Sequence, residues 1–546
     1  MNSNFSSSVQ TQVTALRTRT PQAEIVVIVG GGVSGLLTAY ILLDRYGRRY
    51  IPVVLDGNTC HSRIGGNAYT VPVQVGEFER WVDLGVNDYN ATTYRNIQSL
   101  LKKLGVEGKP LVDTTTWAGT NNGRGVSYVE KDIVSGGIDC DLARDYYRFK
   151  AEAYNDAMYG SYFKHSLADY AKEKGYCTAF LQLNLYPRVN GMYYADQTRP
   201  VPTMPLGAIM RYYGLQEGFG TGPADRRYFD QGSTYWLEAL ADAIRCMGGV
   251  VAARCEVSTF TSSGKNSDSV RVHFAPAWCP WWKTQTAESA AYVDCSKVVI
   301  AAHADVANRL LADVPDTENV RALLQRIHYT THEYQSSTGN GKKTLAVAHT
   351  DISVLPDPQK PSTYNITIHE DYNQPNPYTI SYCCNSHQND AENPDYACKE
   401  VPNFYVTINP PPDKQPSEER ILQTLYTAPD GSTQLIQAIA HFSHNTESED
   451  TWDVQLEICE QYQGLDLLGG KLYFSGGWGI GAGLHEECWY AADMAVRRIA
   501  GVVGDICCRD LIGPATQQQD VQGKIVHAPP HHLRIAMGRV PQSDDG

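Results

Sequence analysis

A glycine-rich loop between a short apolar strand and a helix constrains the fold of this chain more than any other feature. Residues 24–29 (EIVVIV) form a short run rich in β-branched residues, as a strand buried on both faces should. The next residues are Gly30-Gly31-Gly32-Val33-Ser34-Gly35, and apolar residues at helical spacing follow them. The G-x-G-x-x-G pattern therefore stands in the strand–loop–helix context that it needs, and it predicts a Rossmann-like unit that binds a dinucleotide.

Each glycine of the pattern has a predicted physical role. Gly30 allows the tight turn, Gly32 lets a pyrophosphate approach the backbone, and Gly35 lets the helix pack closely on the strand. Val33 and Ser34 open the helix, whose free N–H groups and positive dipole end favour phosphate. A glycine-rich turn without a ligand is the alternative.

A second predicted strand supplies an acid at the expected place. The run YIPVVLD ends at Asp56, 26 residues after Gly30. Its carboxylate can accept hydrogen bonds from ribose hydroxyls. The unit by itself does not separate NAD from FAD.

Length and charge exclude several classes of protein. A chain of 546 residues is long enough for two or more lobes. The net charge of −14 argues against nucleic acid or an anionic membrane surface as the main partner. No apolar run is long enough to span a membrane, and the polar N-terminus does not read as a secretory signal. Fourteen Cys without dense spacing predict no disulfide framework, so a soluble, cytoplasmic protein is expected, and no motif predicts a metal site.

Two segments after Asp56 carry a family resemblance, namely 63–68 (RIGGNA) and 82–87 (VDLGVN). In them the chain resembles the flavin-dependent amine oxidase superfamily, which includes amine oxidases, protoporphyrinogen oxidase, phytoene desaturases and polyunsaturated fatty acid isomerases. The resemblance implies a pyrophosphate lined by Arg63, Gly65 and Gly66. It also implies an isoalloxazine ring met by the segment containing Asp83, Gly85, Val86 and Asn87. Asn67 stands where the family often has Arg or His.

Later segments extend the resemblance. Residues 249–260 are similar to the family strand that holds the adenine, with Val257 at the contact position. Residues 471–501 resemble the closing strand, loop and helix, with Gly477, Trp478, Gly483, Leu484 and His485 expected near the flavin. The N–H groups of that helix would face the N1/O2 edge of the ring, where negative charge collects on reduction. The family's Gly-Glu pair is replaced by Gly477-Trp478, so the ribityl contact must come from elsewhere.

Shorter segments point to particular branches. Residues 83–106, 348–358 and 403–411 resemble a branch of NAD/FAD-binding oxidoreductase-like proteins. Residues 227–240 and 441–450 are similar to the fatty acid isomerases. Neither likeness fixes a substrate.

The expected fold is α/β, a two-lobed flavoprotein. Its Rossmann-like FAD-binding domain would be built from the discontinuous segments 22–90, 226–310 and 465–510. An α+β substrate domain would comprise 91–225 and 311–464. Residues 1–21 are expected to form a disordered tail, and residues 511–546 a second tail.

Four side chains are candidates for catalysis. His485 and Glu486 lie at the predicted flavin-facing loop and could move protons, or else cap the helix. His349 and Asp351 fit one side of a strand end, as an oriented base or as a buried structural histidine. The stretch 146–213 contains 12 of the 34 Tyr, which could line a pocket for an aromatic ligand or pack between helices.

The predicted activity is FAD-dependent oxidation of a small organic, hydrophobic or aromatic substrate, with a hydride passing to flavin N5. Molecular oxygen or another electron acceptor would reoxidise the cofactor. Isomerisation of an unsaturated fatty-acyl or secondary-metabolite substrate without net redox is one alternative. A flavin-binding protein without turnover and an NAD-only dehydrogenase are the others.

Overall fold

The structure is a computed structural model. It describes residues 4–57, 64–121, 124–129, 132–133, 140–196, 198–219, 224–262, 269–276, 291–336, 339–359, 361–369, 378–427, 432–464, 467–502, 517–519 and 525–527.

A parallel five-stranded sheet forms the first layer. Its order is Val250–Ala252, Tyr50–Leu55, Glu24–Val29, Lys297–Ile300 and Leu472–Phe474. The strands come from three distant parts of the chain. They assemble into one sheet because each is a short apolar run that needs burial on both faces. From Ile25 to Val29, successive residues alternate between two hydrophobic clusters, one on each face of the sheet. This sheet, with helices on both faces, confirms the predicted α/β class with a Rossmann-like unit.

Three helices cover one face of the parallel sheet, namely Val33–Tyr46, Ser233–Met247 and His485–Ile499. The other face is covered by an antiparallel meander and several helices. The meander consists of Cys255–Ser262, Val270–Pro276 and Ala291–Cys295, and the helices include Asn4–Arg19, Ala304–Leu310, Glu318–Leu324 and Thr451–Gln461.

The N-terminal segment differs from the prediction of a disordered tail over 1–21. Asn4–Arg19 is a helix, and Val9 and Val13 are 2% and 8% exposed. These two valines and Leu16 recur at helical spacing and pack in the cluster under the meander. A narrow apolar stripe thus anchors a segment that is polar in overall composition.

A seven-stranded mixed sheet forms the second lobe. Its order is Ile439–Phe442, Thr344–His349, Tyr405–Ile408, Tyr378–Cys383, Tyr364–Ile368, Thr115–Asn121 and Arg124–Val129. Its helical cover is Cys140–Met158, Leu167–Lys174, Thr178–Phe180, Tyr186–Tyr193 and Leu206–Gln216.

Several two- and three-stranded elements lie outside the two large sheets. The paired strands are Asp88–Asn90 and Gly108–Pro110 with Arg226–Phe229, Thr70–Val75 with Phe78–Asp83, His328–Tyr329 with Asn445–Thr446, Glu333–Ser336 with Gly339–Lys342, Gln423–Thr427 with Thr433–Gln437, and Gln517–Gln519 with Ile525–His527. Two further helices are Arg95–Leu104 and Cys384–His387.

Two further observations concern the expected class of protein. Among the residues described, none of the helices is both long and apolar enough to cross a bilayer. Cys459 is disulfide-bonded, whereas the sequence led us to expect no disulfide framework.

Candidate cofactor and substrate site

One cavity of about 1490 Å³ joins the carboxyl edge of the parallel sheet to the seven-stranded sheet. Small-molecule sites usually measure about 300–1,000 Å³, so this cavity has room for an extended ligand and a second molecule. The predicted cofactor residues that line it are Gly30, Gly32, Val33, Ser34, Asp56, Gly65, Gly66, Asn67, Gly85, Val86, Val257, Gly477, Trp478, Gly483 and His485. Segments more than 400 residues apart therefore meet at one surface.

Two glycine segments form the cradle at the sheet edge. Gly32 and Gly65 make a parallel bridge, and the Gly65 N–H donates to the Gly31 oxygen at 2.8 Å. Gly35 does not line the cavity. A Cβ at Gly35 would lie 1.9 Å from the Gly30 oxygen, so only glycine permits the helix to approach the loop this closely. That contact is the packing role predicted for this position.

Asp56 lies beside the cradle, directly after the second parallel strand. Its Oδ2 accepts a hydrogen bond from the Gly31 N–H at 2.6 Å, and the residue is 7% exposed. The glycine loop therefore holds the carboxylate at the cavity wall, where a ribose hydroxyl can reach it. Arg63, the predicted basic contact to the pyrophosphate, lies outside the described residues.

The loop predicted to meet the flavin ring packs on the cradle. The Val86 N–H donates to the Asn67 oxygen at 3.0 Å, and a Cβ at Gly85 would lie 1.8 Å from that same oxygen. Ser233 Oγ donates to the Val86 oxygen at 2.5 Å. Asn87 is half-buried and does not line the cavity.

Asp83 anchors this loop from behind. Its Oδ1 accepts from Thr70 Oγ1 at 2.5 Å and from the Ser233 N–H at 3.0 Å, whereas Oδ2 is buried without a hydrogen-bond partner among the described residues. Burial raises the pKa of the Asp83 carboxyl to about 7, against the lowering effect of these donors. The group is thus a structural acid beneath the cavity, not part of its wall.

A strand next to Asp56 lines a further part of the cavity. Val257, the predicted adenine contact, is one of the lining residues of this strand, Cys255–Ser262. A hairpin of the second lobe, Gln423–Thr427 with Thr433–Gln437, places Tyr426 and Ile436 on the same cavity. Residues of both lobes therefore line this part of the cavity.

The closing loop of the Rossmann sheet is fixed by buried hydrogen bonds. The Trp478 indole Nε1 donates to the Ala302 oxygen at 2.9 Å. This hydrogen bond fixes the indole at the position where the resemblance leads one to expect Glu. The Gln455 side-chain amide donates to the Gly481 oxygen at 3.0 Å and accepts from the Gly481 N–H at 3.1 Å.

Some backbone N–H groups at the start of the helix His485–Ile499 are already hydrogen-bonded to a side chain of the same helix. Glu487 Oε2 accepts from the Gly483 and Leu484 N–H groups, at 3.0 Å each. Two of the amides expected at the N1/O2 edge of the ring are therefore already paired. Leu484 itself does not line the cavity.

His485 is the one candidate catalytic residue that reaches the cavity. It is 3% exposed, and neither ring nitrogen has a hydrogen-bond partner in the described part of the chain. Its ring lies 5.6 Å from that of Phe229 and 5.4 Å from that of Trp236. Burial lowers the pKa of the imidazole to about 4, so it is neutral at physiological pH.

Glu486 turns away from the cavity. Its carboxylate accepts from the Asn96 N–H at 3.1 Å, from Asn96 Nδ2 at 2.6 Å and from the Ile97 N–H at 3.1 Å. It caps the helix Arg95–Leu104, which is the structural alternative to a catalytic role.

The predicted pair of His349 and Asp351 is also distant from the cavity. His349 Nε2 lies 2.7 Å from Thr407 Oγ1, and Nδ1 accepts from the Asp351 N–H at 3.1 Å. Asp351 accepts from the Ser353 and Ser417 N–H groups, at 3.1 and 3.0 Å. The structure does not bring this pair to the site, because its polar atoms tie a strand end to its following loops.

The tyrosines of 146–213 also pack elsewhere. Of those that the structure describes, none is among the residues that line the cavity. Tyr170, for example, is fully buried and donates to Asp156 Oδ2 at 2.8 Å, while Tyr193 donates to the Ala208 oxygen at 3.0 Å. Packing between helices, the alternative to a pocket, is what the structure shows.

The candidates for catalysis and cofactor binding did not include a further group of lining side chains, namely Tyr69, His303, Tyr329, Lys343, His441, Phe442 and His444. Burial lowers the pKa of His441 and of His444 to about 4, and it also lowers that of His303. One sequence feature could have identified His303, because it closely follows a parallel strand, at the edge where open α/β sheets bind ligands.

Comparisons with known proteins agree with this geometry. Residues 28–104 match a family model described as an NAD(P)-binding Rossmann-like domain. A flavin-containing amine oxidase of Danio rerio is 39% identical over 88 residues, which is 16% of this chain and 15% of that protein. The matched part is thus far less than two thirds of the relative.

Solved structures match over most of the chain. A putrescine oxidase bound to putrescine has a TM-score of 0.51 at 12% identity, covering 88% of this chain and 99% of that one. An oxidoreductase from Methanosarcina mazei has a TM-score of 0.50 at 13% identity, covering 87% and 100%. At such identities the likeness shows the fold. Together these findings confirm the resemblance to the flavin amine oxidase superfamily in the dinucleotide-binding segment and in overall fold.

Proposed function

We propose that this chain is an FAD-dependent oxidoreductase that removes a hydride from a small organic substrate. The observation that carries the proposal is the continuous cavity, which begins at the glycine cradle and Asp56 and ends between the two lobes. A dinucleotide seated at the cradle would extend toward the second lobe, where substrates of two-lobed α/β enzymes bind.

The residues present fit FAD. Gly32 and Ser34 offer backbone N–H groups at the start of the helix to a pyrophosphate, and Asp56 offers a carboxylate to a ribose. The Gly30 N–H is paired with the Leu55 oxygen at 2.8 Å, so Gly30 contributes the turn and not a donor. The names of the similar proteins, a flavin-containing amine oxidase and a putrescine oxidase, support the same choice. When bound, FAD supplies the hydride acceptor, and molecular oxygen or another acceptor takes up the electrons afterwards.

The lining beyond the nucleotide part favours a substrate of low charge. Its charged members, Asp305, Arg309 and Lys343, are exposed, so solvent screens them. The half-buried part presents Phe442, Ile439 and imidazoles whose lowered pKa keeps them neutral at physiological pH. Such a surface binds a hydrophobic or aromatic molecule and can hydrogen-bond to it without placing a buried charge beside it.

The experiment is an anaerobic substrate screen on the purified protein. We expect a yellow protein whose flavin absorbance is bleached by one member of a panel of neutral and aromatic amines, fatty-acyl compounds and other aromatic compounds. Asp56→Ala is the matched variant and should retain less flavin after desalting. A wild-type chain that stays colourless after incubation with FAD would overturn the proposal. In a parallel assay under air, conversion of a compound without oxygen uptake, the flavin staying oxidised, would indicate isomerisation instead.

A further inference from the structure

A buried ion pair lies directly behind the part of the cavity nearest the C-terminal helix. Arg211 Nη2 is 3.0 Å from Glu487 Oε1, and both side chains are 4% exposed. Arg211 belongs to the helix Leu206–Gln216 of the second lobe, whereas Glu487 belongs to the helix His485–Ile499 of the Rossmann lobe. The pair therefore joins the two lobes.

The pair supports the segment Gly481–Leu484, of which Ala482 and Gly483 line the cavity. Glu487 Oε2 accepts from the Gly483 and Leu484 N–H groups, and Oε1 faces Arg211. A Cβ at Gly481 would lie 2.0 Å from Glu487 Oε1 and 2.4 Å from Arg211 Nη2. The segment thus rests on the pair without an intervening side chain.

The other ionisable groups that interact with the pair include one carboxyl, that of Glu447, and the phenols of Tyr94, Tyr154 and Tyr193. Glu447 interacts electrostatically with Arg211 and Glu487, and burial raises the pKa of its carboxyl to about 7. The phenol of Tyr193 also faces these three groups, and burial holds its pKa well above the ordinary value. Burial raises the pKa of Glu487, and the Arg211 guanidinium opposes that rise. Arg211 and Glu487 therefore present opposed charges behind this wall of the cavity, and little water screens them.

We infer that Arg211 and Glu487 are positioning residues that set the electrostatic potential at the ring end of the cofactor site. The inference rests on the proposed function. Reduction of a flavin adds negative charge, so a nearby positive charge favours it and a nearby negative charge opposes it. The positive charge of Arg211 should therefore raise the reduction potential of the flavin, and the negative charge of Glu487 should lower it. The hydrogen bonds that Glu487 accepts from the Gly483 and Leu484 amides hold the loop in place.

The test is the flavin reduction potential of variants, measured by equilibrium redox titration. Glu487→Gln keeps a side-chain oxygen for the amides but removes the negative charge, so the potential should rise. Arg211→Gln removes the positive charge, so the potential should fall. The double variant should return toward wild type. A pair with only a structural role would lower the thermal stability in both single variants but would not give shifts of opposite sign.

A second interlobe ion pair provides the matched control. Lys164 and Asp453 lie 2.8 Å apart but are 44% and 47% exposed. Lys164→Gln and Asp453→Asn should leave the potential unchanged, because solvent screens both charges. Should Arg211→Gln not fold, Arg211→Lys and Glu487→Gln still decide the matter. The charge-preserving variant should keep the wild-type potential, and the charge-removing variant should raise it.

The outcomes separate this inference from the proposed function. A wild-type chain that takes up no flavin would overturn both. Flavin-loaded variants whose potentials do not move, or move in the same direction, would overturn the inference alone.

Discussion

The side-chain amide of Asn67 donates a hydrogen bond to the backbone oxygen of Ser443 at 3.0 Å, although 376 residues separate the two. Asn67 belongs to the glycine cradle, and Ser443 directly follows the edge strand Ile439–Phe442 of the second lobe. Both residues line the cavity. At a position where the resemblance leads one to expect Arg or His, this chain has an uncharged side chain that ties the cofactor loop to the substrate lobe.

Removing that hydrogen bond should loosen the junction of the lobes. Asn67→Ala should lower the free energy of unfolding by about 1 kcal/mol, the usual net contribution of one hydrogen bond. Asn67→Asp should cost more, because a carboxylate oxygen would face the Ser443 oxygen. Chemical denaturation followed by tryptophan fluorescence measures both. If the Asn67→Asp variant proved as stable as wild type, the contact would contribute nothing.

The sequence predicted the Rossmann part of the site well, because its constraints are local. The turn at Gly30, the packing at Gly35 and the acid at Asp56 follow from covalent geometry and from strand–loop–helix order. The second-lobe wall could not be predicted in this way. His444 and Phe442 reach the cavity only through the pairing of the seven-stranded sheet and its neighbours. For Glu486, its place in the sequence beside a predicted cofactor loop suggested a role in the site. That place gave no indication that Glu486 caps a helix distant in the sequence.

A methyl group at Gly35 should abolish the cradle. Its Cβ would lie 1.9 Å from the Gly30 oxygen, a backbone atom that cannot move without displacing the loop. Gly35→Ala should therefore cost several kcal/mol, on the order of 3 or more, as severe overpacking does. Gly479→Ala is the control, because no heavy atom of the described residues lies within 4 Å of a Cβ there. Thermal unfolding and FAD retention should distinguish the two. Equal thermal stability and equal FAD retention in the two variants would contradict the close contact at Gly35.

His485 should make the protein less stable in mild acid. Its pKa falls from 6.5 to about 4 in the folded state, so the unfolded state binds the proton more readily. The resulting stability is fully present above pH 6.5 and is lost as the pH falls toward 4, by about 3 kcal/mol at most. His485→Phe should remove this dependence from the flavin-free protein. Denaturant titrations of wild type and variant at several pH values test this prediction. If the free energy of unfolding depended on pH in the same way in both proteins, the prediction would be wrong.

Asp83 should have the opposite effect on the pH dependence of stability, making the folded protein more stable in acid than at neutral pH. Its pKa rises from 3.8 to about 7 on folding, so between these values the folded state binds more protons than the unfolded state. Stability from this group is therefore greatest below pH 3.8 and declines as the pH rises toward 7, by up to about 4 kcal/mol. Asp83→Asn keeps an oxygen for Thr70 and Ser233 but cannot ionise. Measured relative to wild type by denaturant titration, its stability should therefore be higher at pH 8 than at pH 4.

The matched control for this last variant is Asp242→Asn, at a side chain that is 72% exposed and pairs with Arg245. An exposed pair contributes little to stability, so its pH profile should follow wild type. The buried Oδ2 of Asp83 has no hydrogen-bond partner among the described residues, and the new amide Nδ2 would inherit that position. The unpaired amide costs about 1–3 kcal/mol at every pH, so it lowers the whole profile without changing its slope. The difference between pH 4 and pH 8 is therefore the decisive quantity, and a variant whose difference equals that of wild type would show that Asp83 ionises normally in the folded chain.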